Sequence, residues 1–286
     1  MEAKAIDPGE FRSGQKKAWD GAAGGWDRWQ ELVESGAGGV SKRLVELAGV
    51  EAGSRVLDVG AGYGEPTVTA AKVVGPEGRV VASDLSAEML SFARERAAAA
   101  GLDNIDFVEV DASALDFDEG SFDAALSRWG IIFDPDGEGA AAGVRRALKP
   151  GGRFAISSWG PPEKVPFLAV AIKTALAELN AEPPPPGTPG PLSRPTPEAL
   201  SGLLEGGGFS GVEVEELEVS LAYDSAEDYA KFIHEIAPPV NALIDPHPED
   251  VRERTWAAIT EAAREGASED GRIVHRNLAL LAVGTA

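Results

Sequence analysis

Residues 56–67 read V-L-D-V-G-A-G-Y-G-E-P-T, an apolar run closed by three alternating glycines. Such a run is a short buried strand entering a tight turn, because glycine reaches positive φ freely and has no Cβ to hold a ligand off the backbone. Gly60, Gly62 and Gly64 supply the turn, and Pro66 suits the first turn of a following helix. The spacing is G-x-G-x-G, whereas G-x-G-x-x-G is the pattern that seats a dinucleotide pyrophosphate on a helix N-terminus. Glu65 stands at the mouth of that helix, where it repels a pyrophosphate and tolerates a cation. The pattern favours S-adenosylmethionine; the alternative is a tight βα turn with no ligand.

The chain of 286 residues, 43% of them hydrophobic, suits one large domain with appendages. It has no cysteine, which excludes disulfides, a thiol nucleophile and thiolate metal sites. Its three histidines, His234, His247 and His275, have no ligand spacing, so no metal is expected. No window is apolar for long enough to span a membrane, and Met-Glu-Ala-Lys lacks the order of a signal peptide, so a cytoplasmic protein is expected. The formal charge of -21, from 47 acidic against 26 basic residues, repels phosphate backbones and makes nucleic acid an unexpected partner.

From residue 55 to 159 short apolar runs alternate with helical stretches, the signature of repeated βα units on a parallel sheet. Strands are expected at 55–59, 79–83, 105–110, 122–127 and 152–159. The second intervening helix has Ser86 as N-cap, an apolar stripe of Met89, Phe92, Ala93 and Ala97, and Gly101 as its stop. Lys149-Pro150-Gly151-Gly152 reads as a turn launching the next strand. Composition shifts mark three covers: a glycine- and tryptophan-rich segment at 1–40, a lid insertion at 161–196 and an acidic helical insertion at 224–270. The 161–196 segment contains a helical stretch and then an extended connector of prolines at 183–186. A core of 41–160 is completed by a helix and strand at 197–223 and by the segment 271–286, with a last strand expected at 273–285.

In open α/β sheets ligands bind beyond the carboxyl ends of the strands. Asp84, ending the second strand, can accept from both hydroxyls of a ribose; alternatively it caps the next helix. Asp111, ending the third, can accept from an adenine amino group beside the Ala112 N–H, with Leu85 and Met89 against the ring; otherwise it is a loop aspartate.

These residues resemble the class I S-adenosylmethionine-dependent methyltransferases, in particular the group of ubiquinone/menaquinone-biosynthesis C-methyltransferase-like proteins. The resemblance covers most of 41–160 and rests on V-L-D-V-G-A-G-Y-G, V-V-A-S-D-L-S-A-E-M-L, F-V-E-V-D-A-S-A-L-D-F, F-D-A-A-L-S-R-W-G and L-K-P-G-G-R-F. It implies a Rossmann-like, doubly wound, seven-stranded mixed sheet of order 3-2-1-4-5-7-6 under a largely helical lid. It also implies cofactor contacts at Asp58, Gly60, Ala61 and Gly62 for the methionine portion, Asp84 for ribose, and Asp111 and Ala112 for adenine. Ser127 and Arg128 fall where the family meets the amino-acid end, Arg128 as a carboxylate clamp or as half of an inter-strand ion pair. No N/D-P-P-Y motif is present, which disfavours methylation of amines on nucleic-acid bases.

A sulfonium methyl is already electrophilic, so the protein must align a small-molecule acceptor in line with the S–CH3 bond and exclude water. Trp19, Trp26 and Trp29 are candidate covers for the sulfonium, or else pins of an N-terminal helix. His234 is the candidate base for a hydroxyl acceptor, against the alternative of a solvent-facing lid histidine. Tyr63, Glu65 and Trp129 are expected to line the site. Phe167, Leu168, Phe232, Ile233 and Trp256 point to an apolar or aromatic acceptor, though they also suit an ordinary lid core. Two other classes share parts of the pattern, a non-catalytic nucleoside-binding protein on the same fold and an NAD-dependent oxidoreductase.

Overall fold

The computed structural model describes residues 8–185 and 188–286. Its centre is a seven-stranded sheet in the order β3-β2-β1-β4-β5-β7-β6, as the resemblance implied. The parallel part comprises β1 (Arg55–Val59), β2 (Arg79–Asp84), β3 (Ile105–Glu109), β4 (Phe122–Arg128) and β5 (Leu148–Trp159). β7 (Ile273–Thr285) runs antiparallel between β5 and the edge strand β6 (Ser210–Tyr223). The chain reverses direction across the sheet between β1 and β4, so the carboxyl ends of those strands open a crevice.

Strands buried on both faces need helices on both, and two apolar clusters result. On one face α2 (Gln30–Leu47), α3 (Thr67–Val74) and α4 (Ala87–Ala99) cover the side chains of Val56, Val80 and Leu126. On the other, α5 (Gly137–Ala147) and α7 (Pro197–Gly206) cover Leu57, Ala125 and Phe154. The period of two along a strand puts Ala124, Leu126 and Arg128 on the α2 face, which decides where Arg128 points. The lid adds α1 (Pro8–Arg28), α6 (Pro166–Glu178), α8 (Ala226–Ile236), α9 (Pro238–Ile244) and α10 (Glu249–Arg264).

Two boundaries differ from the sequence reading. The glycine-rich stretch Gly36-Ala37-Gly38-Gly39 lies inside α2, which runs past the expected boundary at residue 40 to Leu47. A Cβ on Gly36 would stand 2.2 Å from the Ser220 carbonyl oxygen, so the glycine lets α2 lie directly on β6. Lys149-Pro150-Gly151-Gly152 is an irregularity within β5, where the pairing jumps from Phe122↔Leu148 to Ala124↔Arg153. Prolines 183–185 form neither helix nor strand, while Pro186 and Met-Glu-Ala-Lys lie outside the described residues. No helix among the described residues is long and apolar enough to cross a membrane.

Candidate active site

Two adjoining chambers open at the carboxyl ends of β1 to β4. The larger, about 170 Å³, starts at the turn of Gly60 to Glu65 and runs beneath the lid to Phe167, Val219, Leu221 and Phe232. The smaller, about 40 Å³, lies toward β3 and is lined by Val110, Asp111, Ala112, Phe133 and Asp134. Gly60, Asp84, Leu85, Gly130 and Phe133 border both.

The turn is held by backbone. Gly60 and Ala61 donate to the Ser83 carbonyl at 2.8 and 2.9 Å, binding the first turn to β2. Gly60 (φ +71) also presses on Gly130, where an added Cβ would stand 2.8 Å from the Gly130 Cα. At Gly62 (φ +53) a Cβ would meet nothing within 4 Å, so the turn presents bare backbone to open space, as a ligand cradle requires.

Asp84 is buried and accepts from the Gly62 N–H through Oδ2 and the Ser86 N–H through Oδ1, both at 2.8 Å. Burial raises its pKa, partly offset by those N–H donors. The neighbouring cap role belongs to Ser86, whose hydroxyl accepts from Met89 N. Each Asp84 oxygen keeps a lone pair for a further donor such as a ribose hydroxyl.

Helix α1 straps the opening with a row of polar contacts along one side. Lys16 Nζ donates to the Leu85 carbonyl at 3.0 Å and pairs with Glu109 at 2.7 Å. Gln15 donates to the Phe133 carbonyl, Asp20 accepts from the Ser86 hydroxyl, and Arg12 lies 3.5 Å from Asp111 and 3.9 Å from Asp134.

Residues 56–152 match the family described as "Methyltransferase domain". The ubiquinone/menaquinone biosynthesis C-methyltransferase UbiE of Hahella chejuensis is 34% identical over 161 residues, 56% of this chain and 65% of that protein. The UbiE of Pseudomonas fluorescens strain Pf0-1 is 36% identical over 139 residues, 48% of this chain and 54% of its own. The chain thus spans just over half to about two thirds of these relatives. Two solved structures share the fold: YcgJ of Bacillus subtilis (TM-score 0.52, 20% identical, 86% and 97% of the two chains) and the [4+2]-cyclase SpnF (0.53, 20%, 91% and 93%). The matched motifs and the sheet order agree. Residues 56–152 are a methyltransferase domain, with the motifs of the class I S-adenosylmethionine-dependent methyltransferases.

Within this methyltransferase domain the expected site residues separate into several groups. Gly60, Ala61, Gly62, Asp84, Leu85 and Met89 line the larger chamber, with Tyr63, Trp129, Trp19 and Trp26. Asp111 and Ala112 line the smaller one and Met89 the larger, with Leu85 bordering both. Asp111 also caps the short turn after β3, its Oδ1 accepting from Ser113 N at 2.8 Å and the Ser113 hydroxyl at 2.5 Å.

Asp58 and Ser127 border neither chamber. Asp58 is fully buried behind the turn; Oδ2 accepts from Thr67 at 2.5 Å, and Oδ1 has no partner among the described residues. Burial pushes its carboxyl up to about 7. The Ser127 hydroxyl donates to the Val59 carbonyl at 2.7 Å and accepts from Ile131 N, tying β4 to β1.

Arg128 is not a free carboxylate clamp. Its two terminal nitrogens donate to both oxygens of Glu34, at 3.1 and 2.8 Å, to the Ser41 hydroxyl and to the Tyr63 hydroxyl. This ion pair joins β4 to α2, not to another strand. Burial pushes the Glu34 carboxyl up, but the Arg128 charge and the hydrogen bonds from Arg128 and Tyr63 outweigh it and hold it below the usual range. Tyr63 in turn donates to Glu34.

His234 and Trp29 lie outside both chambers. His234 faces solvent on α8 with its ring edge-on to Trp256 at 4.8 Å, because α8 turns its apolar face, Phe232, Ile233 and Ile236, inward. Trp29 pins the α1/α2 junction to α8, donating to Glu235 at 2.7 Å. Glu65 pairs with Arg96 at 3.4 Å and accepts from Thr69 at 2.7 Å, so the turn's acid is largely neutralised. Sequence reasoning missed Glu34, Gln15, Arg12 and Phe133; only Phe133, three residues beyond the R-W-G at the end of β4, carried a local signal.

Proposed function

We propose that this chain moves the methyl group of S-adenosylmethionine to an apolar small molecule. The observation that carries the reading is the larger chamber itself, which joins the glycine turn and Asp84 at one end to a continuous apolar wall at the other. The nucleoside end suits Asp84 for ribose, with Asp111 and Ala112 of the smaller chamber for the base. The bare backbone at Gly62 leaves room for the remainder.

The bound cofactor would supply an electrophilic methyl group, leaving alignment and dryness to the protein. Phe167, Leu168, Val219, Leu221, Phe232 and Ile236 exclude water from the lid half. They offer no carboxylate or imidazole, and His234 faces away. The lid half therefore suits an acceptor atom that is nucleophilic without a protein base, as an electron-rich ring carbon or an already ionised oxygen is. Similarity to C-methyltransferases supports carbon as the first choice.

Calorimetric titration with S-adenosylmethionine, S-adenosylhomocysteine and NADH in parallel tests the cofactor. Binding of the two sulfur nucleosides alone supports the reading, and binding of NADH alone overturns it. Because one protein of this fold is a [4+2]-cyclase, methyl transfer to a panel of phenols, quinones, amines and lipids must follow separately.

A further inference from the structure

The larger chamber ends on a wall fixed by buried hydrogen bonds. A line of contacts leads there from the cofactor turn. Gly60 presses on Gly130, the neighbouring Trp129 lies flat on Trp159 with ring centres 4.3 Å apart, and Trp159 meets Phe167 edge-on at 4.8 Å. Phe167 therefore stands beyond both indoles, on the first turn of α6.

That turn has no cap of its own. Val165 precedes it without a side-chain bond, Pro166 has no N–H, and the Leu168 and Ala169 N–H groups both donate to the Val165 carbonyl. The remaining donor, the Phe167 N–H, is taken by Asn277 of β7, whose Oδ1 accepts it at 3.1 Å. The Tyr229 hydroxyl of α8 donates to the carbonyl of the same phenylalanine at 2.9 Å. Asn277 Nδ2 donates in turn to the carbonyls of Val219, at 3.1 Å, and His275, at 3.0 Å. Val219 also lines the chamber, so one side chain sets the places of two wall residues.

Asn277 and Tyr229 are 1% and 0% exposed, and they lie 110 and 62 residues from Phe167 in sequence. Neither restraint comes from α6 itself. Buried polar side chains add little net stability over apolar ones of the same shape, but fully bonded ones hold a single geometry.

We propose that Asn277 and Tyr229 are positioning residues that lock Phe167 as an end stop, so that the chamber selects its acceptor by length. The acceptor is a compact apolar molecule whose far end meets Phe167, not one that extends a long chain past it. The proposal rests on the function stated above and narrows it. Protein interiors are packed too densely to take in an extra methylene without displacement, so a stop that cannot slide excludes longer molecules.

The test uses the full chain loaded with S-adenosylhomocysteine. Its probes are the straight-chain 1-alkanols from butanol to decanol, which differ in length alone. Binding is followed by tryptophan fluorescence, since Trp129 and Trp159 line the chamber. In the native protein affinity should rise about fourfold per added methylene, the usual gain on burial, and then fall at one length. Tyr229→Phe removes one hydroxyl and keeps the ring that packs on Tyr223, while Asn277→Leu removes the bonds from a side chain of similar size. Each should move the fall to a probe about one or two methylenes longer, with affinity for S-adenosylhomocysteine unchanged. Phe167→Ala, which removes the stop, should move it further. A purely structural role would lower the melting temperature of the first two variants and leave the length preference where it was.

Affinity that climbs through decanol without a fall, a fall kept at the native length in Tyr229→Phe or Phe167→Ala, or no binding of any probe would overturn the proposal. The Tyr229→Phe comparison stands even if Asn277→Leu does not fold. Calorimetry with S-adenosylhomocysteine on the same sample separates the two readings. Failure to bind it sinks the methyltransferase reading, whereas cofactor binding without length discrimination sinks only the end stop.

Discussion

At the scale of single residues, two acids divide the work of the glycine turn. Asp84 faces both chambers, and Asp58 lies sealed behind them. Asp84→Ala should weaken binding of S-adenosylhomocysteine by about 1 to 3 kcal/mol, the usual loss when a charged acceptor is removed from buried donors. Unchanged affinity by calorimetry would remove Asp84 from the cofactor site. Asp58 predicts a pH effect instead. Its carboxyl is raised by burial from 3.8 to about 7, so the folded state holds a proton that the unfolded chain has released. Stability from this group is therefore complete below pH 3.8, declines between there and about 7, and stays flat above. Asp58→Asn should lack that decline and gain about 2 to 4 kcal/mol relative to the native chain at pH 8, read from denaturant melts across pH. Asp84 and the glycines were legible in sequence because local spacing fixes them. The choice between the two readings of Arg128, clamp or ion pair, was not legible because its partner Glu34 lies 94 residues away, brought near by the packing of α2 on the sheet.

At the scale of elements, the same limit explains the lid. Strand positions followed from apolar runs and turn residues, and β1 and β7 have the bounds the sequence suggested. The glycines of residues 24–39 carried no signal of their role in sequence, yet Gly25 and Gly36 are contact points: a Cβ on either would stand 2.2 Å from a backbone oxygen, of Glu235 and Ser220 respectively. Gly36→Ala should cost about 1 to 3 kcal/mol by overpacking, although alanine is the better helix former. A melting temperature equal to or above the native one would refute that account of α2. The strap of α1 makes a kinetic prediction. Replacing Arg12 and Lys16 together by glutamine should speed release of S-adenosylhomocysteine about five- to tenfold, the sum of a few exposed ion pairs, in stopped-flow measurements. Release from the native chain should quicken with salt, and release from the variant should respond less. His234, on the solvent side of α8, illustrates why a motif-poor histidine could not be placed from sequence: the face of a lid helix is set by what it covers.

At the scale of the molecule, the charge of -21 means that like charges repel across the whole surface. Modest salt should raise the melting temperature by a few degrees, since screening this repulsion outweighs the loss of exposed pairs such as Arg79–Asp106 and Arg264–Glu227. A fall in melting temperature between low and moderate sodium chloride would reverse that ranking.

The walls of the larger chamber are divided between the family match and the chain on either side of it. The cofactor end lies within residues 56–152, whereas Val33, Phe167, Leu168, Val219, Leu221, Phe232 and Ile236 lie outside the family match. The two ends can therefore be altered independently. Grafting new sequences onto α6, α8 and α9 offers a route to libraries with changed acceptor choice, while the nucleoside half serves every member unchanged.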